Sequence, residues 1–237
     1  MDVMVDEKRE AIPALGFYPH EPISTGTTLI AMEFNGGVVV GTDSRTSSGS
    51  FISSRATNKI TPITEHMAVC RSGSAADTQA IADIVKYHIE AYSWIFRKFL
   101  YNYRDQLSAS VLIAGWDEKN GGQLYAIPIG GFVTRQKSTA SGSGSTFVQG
   151  FLDNAWKPNL TKEECRAIVK QAVGLAVFRD GLVFRGLRSS GGVVRVATID
   201  KSGTKLELFR PDKPGFPSVK PPGAHLSFPP HIEQAEV

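Results

Sequence analysis

The sequence predicts an α+β fold, and three observations carry that expectation. Two β-rich runs, Leu29 to Phe34 and Val38 to Val40, flank Asn35-Gly36, a strong signal for a two-residue hairpin turn. The stretch from Asp77 to about Leu107 contains neither Gly nor Pro and shows helical spacing at Ile81, Ile84, Val85, His88 and Ile89. Thr161-Lys162-Glu163-Glu164 reads as a capping box, with Thr161 as N-cap and Glu164 at the third helical position, opening a helix to about Arg179.

Between these markers the chain supplies further elements in order. Lys59 to Ile63 and Met67 to Arg71 flank a turn at Thr64-Glu65-His66. Pairing around Glu65-His66 places Lys59 near Ser72 and Gly73, with Pro62 marking an edge or an irregularity. Ser72 to Asp77 then opens the long helical stretch, its outward N–H groups a ready oxyanion site with Gly73 the natural donor. Within that stretch Trp94, Ile95, Phe96, Phe99, Leu100 and Tyr103 continue an apolar, core-type pattern. Ser110 to Trp116 and Gln123 to Ile129 read as strands joined by a loop containing Asn120-Gly121-Gly122. Lys137 to Gly144 has the composition of a flexible loop. Val193 to Ile199 and Lys205 to Phe209 form a final hairpin around Ser202-Gly203. From Pro211 the chain is Pro-rich and unsuited to regular structure.

Composition narrows the function classes. At 237 residues, 41% hydrophobic and 21% charged, the chain can bury a sizeable core. A formal net charge of +3 without any basic run argues against a nucleic-acid partner. Cys70 and Cys165 make neither a disulfide framework nor a metal cluster, and the five His are scattered, so no metal is expected. Residues 1–26 carry charges, Pro13 and Pro22, and lack the apolar core of a secretory signal. No run of 18 apolar residues suggests a membrane span. The glycines around Ser143 lack the Gly-Lys-Ser/Thr of a phosphate cradle, which argues against a nucleotide cofactor.

The chemistry concentrates at Ser24-Thr25-Gly26-Thr27-Thr28-Leu29. A threonine hydroxyl needs a base to become a nucleophile, and an N-terminal amine is one such base. With an ordinary pKa of about 7.7–8.0, that amine is partly neutral at pH 7. A cut between Gly26 and Thr27 would put hydroxyl and amine on one residue, so residues 1–26 would have to be removed first. In a hairpin centred on Asn35-Gly36, paired residue numbers sum to about 71. Thr28 then lies opposite Asp43, and Thr27 opposite Ser44. Register alone delivers a carboxylate beside Thr27.

Several motifs in order now resemble a known family: Thr27-Thr28-Leu29, Gly36 to Arg45, Asn58-Lys59-Ile60, Arg71 to Asp77, Ala114 to Asp117, Ser141 to Ser145 and Ser190-Gly191-Gly192. From about Thr27 to Leu208 the chain resembles catalytic β subunits of the proteasome core. Those subunits are N-terminal nucleophile hydrolases with a four-layer αββα sandwich, stacked in rings with other α and β subunits. The resemblance implies Thr27 as nucleophile, Asp43 and Lys59 as its charge partners, and Gly73 as the oxyanion N–H donor. It implies Ser143, Asp180 and Ser190 as residues holding the Thr27 amine and its water. Arg71 matches the position lining the pocket for the residue before the cut, with Thr46, Thr57 and Ala75 as further substrate-binding positions. A cation at Arg71 implies cleavage after acidic residues, the caspase-like type.

The resemblance also implies a propeptide over 1–26, a catalytic domain over 27–210 and a Pro-rich tail over 211–237, disordered or extended on a neighbouring subunit. Residence in cytoplasm and nucleus follows in the same way, with polypeptide substrates and neither cofactor, nucleic acid nor membrane. Two departures stand out. The helical region before Ala114 is shorter than an αα-hairpin requires by roughly a dozen residues. Leu182 to Arg188 separates Asp180 from Ser190 where the family has only a few residues, as a true loop or a splicing remnant. A catalytically silent ring subunit is therefore the alternative expectation, and a stand-alone amidase a third.

Overall fold

The computed structural model describes residues 26–48, 51–74, 78, 100–102, 109–180 and 190–217. The proposed leader up to residue 25, Ala75, most of the helical stretch 77–107, the 182–188 segment and the tail beyond 217 lie outside the described residues.

The first hairpin forms as the turn chemistry dictates. Strand β1 (Leu29–Phe34) pairs antiparallel with β2 (Gly37–Thr42), and Leu29 opposes Thr42, the register centred on Asn35-Gly36. Every residue of β1 is buried, because both faces of the strand are covered. Alternation decides which face each side chain meets. Ile30, Met32 and Phe34 join one core cluster, and Leu29 and Ala31 join another.

The described strands build two five-stranded antiparallel sheets and a short ribbon of β3 (Thr46–Ser48) with β4 (Phe51–Ser54). The first sheet adds to β1 and β2 the strands β10 (Ser138–Ser141), β11 (Val194–Asp200) and β12 (Gly203–Phe209), in the order β10-β1-β2-β11-β12. The second holds β5 (Ile60–Thr64), β6 (Met67–Gly73), β7 (Ala109–Asp117), β8 (Gly121–Ile127) and β9 (Thr134–Arg135), in chain order.

The sheets face each other across Leu29, Ala31, Val38, Val40, Ala197 and Ile199 on one side and Ile60, Ala68, Cys70, Leu112, Ala114 and Leu124 on the other. Burial pushes the Cys70 thiol up to about 12, so it acts as a small apolar group between the sheets. Gly122 of β8 meets the backbone of Gly37, and a Cβ there would collide with the Gly37 carbonyl. The sheets touch backbone to backbone at this point, which only glycine permits.

The outer face of the first sheet carries two helices, α1 (Gln149–Ala155) and α2 (Lys162–Asp180). The capping box opens α2: the Glu164 N–H donates to Thr161 Oγ1 at 3.3 Å, and Glu164 Oε2 accepts from the Thr161 N–H at 2.9 Å. Val169, Ala172, Val173 and Ala176 of α2 pack on Ile30, Met32, Val39 and Val196. On the far face of the second sheet, helical Leu100 is buried with Val69, Val111, Ile113 and Ile127.

Five expectations change. The β5–β6 ladder is irregular between Pro62 and Thr64, so Ile60 pairs with Cys70 and Lys59 stands opposite Arg71 rather than Ser72. A β-bulge inserts one residue on one strand and slips the register by one, here beside a proline that has no N–H to donate. Gly73 ends β6 instead of starting a helix; the helical hydrogen bond beyond it runs from Thr78 N–H to Ser74 O at 3.0 Å. Gly121 and Gly122 lie within β8, which stops at Ile127. Lys137 to Gly144 is not a flexible loop: it contains β10, hydrogen-bonded along β1, and the start of a 3-10 turn (Ser143–Phe147). The first tail residues fold back on the chain itself, Phe216 packing on the helix-side core and Pro217 filling the space above Gly174.

Candidate active site

The site lies where β1 begins, between the ends of the two sheets. Thr27 and Asp43 are buried, and Lys59 is 6% exposed. Lys59 Nζ donates to Asp43 Oδ1 at 2.8 Å, to Thr27 Oγ1 at 3.0 Å and to the Gly26 carbonyl oxygen at 3.0 Å. Asp43 is held in turn by N–H groups from Thr28 (2.9 Å, Oδ1), Gly191 (2.9 Å, Oδ2) and Arg45 (3.3 Å, Oδ2). A fully buried carboxylate needs such a set of donors, because buried polar atoms left without partners are costly.

Burial pulls the Lys59 pKa below its usual 10.5, and the Asp43 carboxylate opposes that shift without cancelling it. The result is an ammonium less reluctant than an ordinary lysine to give up a proton, touching a threonine hydroxyl.

A second carboxylate approaches from the C-terminal end of α2. Asp180 Oδ2 accepts from Ser143 Oγ at 2.9 Å and from Ser190 Oγ. Ser143 Oγ accepts the Thr27 N–H at 3.1 Å, and Ser190 Oγ lies 2.9 Å from Thr28 Oγ1. Thr27, Asp43, Lys59, Ser143, Asp180 and Ser190, drawn from six separate points along the sequence, thus form one connected cluster. Gly73 follows Ser72, whose hydroxyl lies against Gly142 together with the Thr27 carbonyl.

The substrate-binding candidates sit beside this cluster. Arg71 stands across the ladder from Lys59, its N–H donating to the Lys59 carbonyl at 3.1 Å, and its guanidinium reaches the Asn58 carbonyl at 3.3 Å. Thr46 Oγ1 donates to Thr57 Oγ1 at 2.9 Å, and the Thr57 N–H to the Ser44 carbonyl at 3.0 Å. Ala75 lies outside the described residues.

Several residues of the site carried no role in the sequence reading. Ser44 Oγ donates to the Arg55 carbonyl at 2.5 Å and accepts the Val193 N–H at 2.8 Å, pinning the approach to β11. Arg45 Nη1 donates to the Ser190 carbonyl at 3.1 Å, and its guanidinium lies where a Cβ on Gly191 would be. Gly142, at φ 85°, and Gly144 let the chain press against the Thr27 carbonyl and the Thr28 side chain. Ser44 and Arg45 directly follow Asp43 in sequence. Of their partners, Val193 lies 149 positions from Ser44 and Ser190 lies 145 from Arg45, so no local pattern signals these links. Among the described residues no cluster of His, Cys, Asp and Glu could hold a metal ion, and no helix is long and apolar enough to cross a membrane.

Two facing antiparallel sheets, a helical layer and a buried Thr–Asp–Lys cluster define an α+β protein consistent with the N-terminal nucleophile hydrolase fold. Residues 23–199 match the model of the family described as "Proteasome subunit". The chain is 42% identical to proteasome subunit beta type-6 of Dictyostelium discoideum, over 79% of this chain and 90% of that relative. It is 40% identical to proteasome subunit beta type-1 of Saccharomyces cerevisiae (81% and 91% covered) and 43% to beta type-9 of Homo sapiens (76% and 85%). The chain belongs to the proteasome subunit family, among its beta-type members, which assemble with other subunits in the core particle.

Proposed function

We propose that this chain is a threonine endopeptidase subunit of the proteasome core, activated by loss of residues 1–26 and cutting polypeptides after acidic residues. The observation that carries this reading is the position of Lys59 Nζ, 3.0 Å from both Thr27 Oγ1 and the Gly26 carbonyl oxygen. One ammonium holds the nucleophile and polarises the carbonyl that the nucleophile must attack to free its own amine. Attack of Thr27 Oγ on the Gly26 carbonyl carbon, with C–N cleavage, passes the acyl group from nitrogen to oxygen. Water then hydrolyses the ester, releasing the leader as a carboxylate and leaving Thr27 with a free amine.

In the processed chain the same hydroxyl attacks a substrate carbonyl and the amine takes up and returns its proton. The N–H of Gly73 stabilises the oxyanion, Ser143, Asp180 and Ser190 orient the amine, and water releases the acyl-enzyme. Arg71, with Thr46, Thr57 and Ala75, forms the pocket for the residue before the cut, where a guanidinium favours a carboxylate. The proposal extends to a full αββα sandwich, with the helical residues around Leu100 belonging to the fourth layer. It includes ring partners of α and β type and residence in cytoplasm and nucleus, without cofactor, nucleic acid or membrane.

Intact mass of the chain in its native particle tests the reading. The wild type should begin at Thr27, while Thr27→Ala should keep residues upstream and lose cleavage after Glu in short peptides. A wild-type chain still carrying residues 1–26 would overturn it and favour a catalytically silent ring subunit.

A further inference from the structure

Thr28 is fully buried and hydrogen-bonds to both carboxylate systems of the site. Its N–H donates to Asp43 Oδ1 at 2.9 Å, and its carbonyl accepts the Asp43 N–H at 3.2 Å. Its hydroxyl meets Ser190 Oγ at 2.9 Å. A serine hydroxyl has one proton, and Ser190 gives that proton to Asp180. Thr28 must therefore be the donor to Ser190. The order of donation is Thr28 to Ser190 to the Asp180 carboxylate, which Ser143 reaches from the other side while accepting the Thr27 N–H.

The peptide unit joining Thr27 to Thr28 is pinned on both edges. The Thr27 carbonyl accepts the Gly144 N–H at 3.2 Å, while the Thr28 N–H is held by Asp43. Gly144 is pressed so close to Thr28 Oγ1 that a Cβ there would collide with it. A β-branched side chain clamped in this way keeps one rotamer.

We infer that Thr28 is a positioning residue: through its amide on Asp43 and its hydroxyl on Ser190 it locks the two carboxylate networks into one frame and sets the direction of the Thr27 hydroxyl. This role rests on the proposed threonine-peptidase reading. It assigns a geometric function to the side chain after the nucleophile, which touches neither substrate nor the reacting atoms.

The test uses assembled particles with Thr28→Val, of the same shape but without the donor, and Thr28→Ser, which keeps it. Rates on a short peptide ending in Glu are normalised to the number of chains that begin at Thr27. Thr28→Val should lower kcat about fivefold to tenfold with KM unchanged, the loss expected for one hydrogen bond that orients a reacting group. Thr28→Ser should return kcat to within about twofold of wild type. A purely structural role would reduce the amount of assembled particle and leave kcat per processed chain alone. If the Val chain does not enter the particle, Thr28→Ala is read in the same way. Unchanged kcat in the donor-less variant, or no rescue by Ser, overturns the role while the wild type still cleaves. A wild-type particle that keeps residues 1–26 and cleaves nothing overturns the peptidase reading, and this role with it.

Discussion

The two carboxylates of the site reach Thr27 by different routes and do different work. Asp43 arrives locally: a hairpin turned at Asn35-Gly36 sets it opposite Thr28, and three N–H groups and the Lys59 ammonium hold it. Asp180 arrives from the last turn of a 19-residue helix, and the partners identified for its side chain are the hydroxyls of Ser143 and Ser190. The first balances a buried charge. The second aligns the Ser143 hydroxyl on the Thr27 N–H and the Ser190 hydroxyl on Thr28. A short-range register suffices where one strong ion pair is needed, whereas an orienting network needs elements that only packing brings together.

Substitutions at the two positions should separate these jobs. Asp43→Asn leaves the Lys59 ammonium buried without its counter-charge, and removing one partner of a buried pair costs roughly 3–5 kcal/mol. Chemical denaturation should show a loss of that size, and intact mass should show an uncut leader. Asp180→Asn keeps an acceptor for both serines, so the stability loss should be about 1 kcal/mol. The leader should still be cut, with a lower kcat. Equal losses at the two positions would erase the distinction.

The charge state of Lys59 sharpens the comparison further. Its folded pKa lies below the usual 10.5, so between the two values the unfolded chain holds the extra proton. Stability contributed through Lys59 therefore rises with pH across that window and is level below it. Unfolding free energies measured from neutral to alkaline pH should show this rising limb in wild type and not in Lys59→Met.

The smallest effect belongs to Asp200, a carboxylate at the opposite end of the hairpin ladder. Burial pushes its pKa up, but hydrogen bonds from Lys162 and Ser202 outweigh that and hold it at about 2. A group with a depressed folded pKa contributes stability above its ordinary value of 3.8 and loses it as pH falls towards 2. Asp200→Asn should flatten acid unfolding over that interval and leave cleavage unchanged.

The sequence by itself determined the α+β class, the first hairpin with its register, the capped helix from Lys162 and the pairing of Thr28 with Asp43. Each follows from interactions spanning a few residues: a turn that tolerates φ 105° at Gly36, a side-chain cap, an alternation of buried faces. The resemblance supplied the remaining candidates as residue positions but not their contacts. Only the tertiary structure decided that Lys59 faces Arg71, because a bulge beside Pro62 slips the ladder by one. It also turned a Ser- and Gly-rich run into the strand paired with β1, since the unpaired edge of that strand needs partners for its N–H and C=O groups. The links from Thr28 through Ser190 to Asp180, and from Arg45 to Ser190, join residues far apart in sequence. Such contacts follow from how sheets and helices pack, which no local pattern encodes.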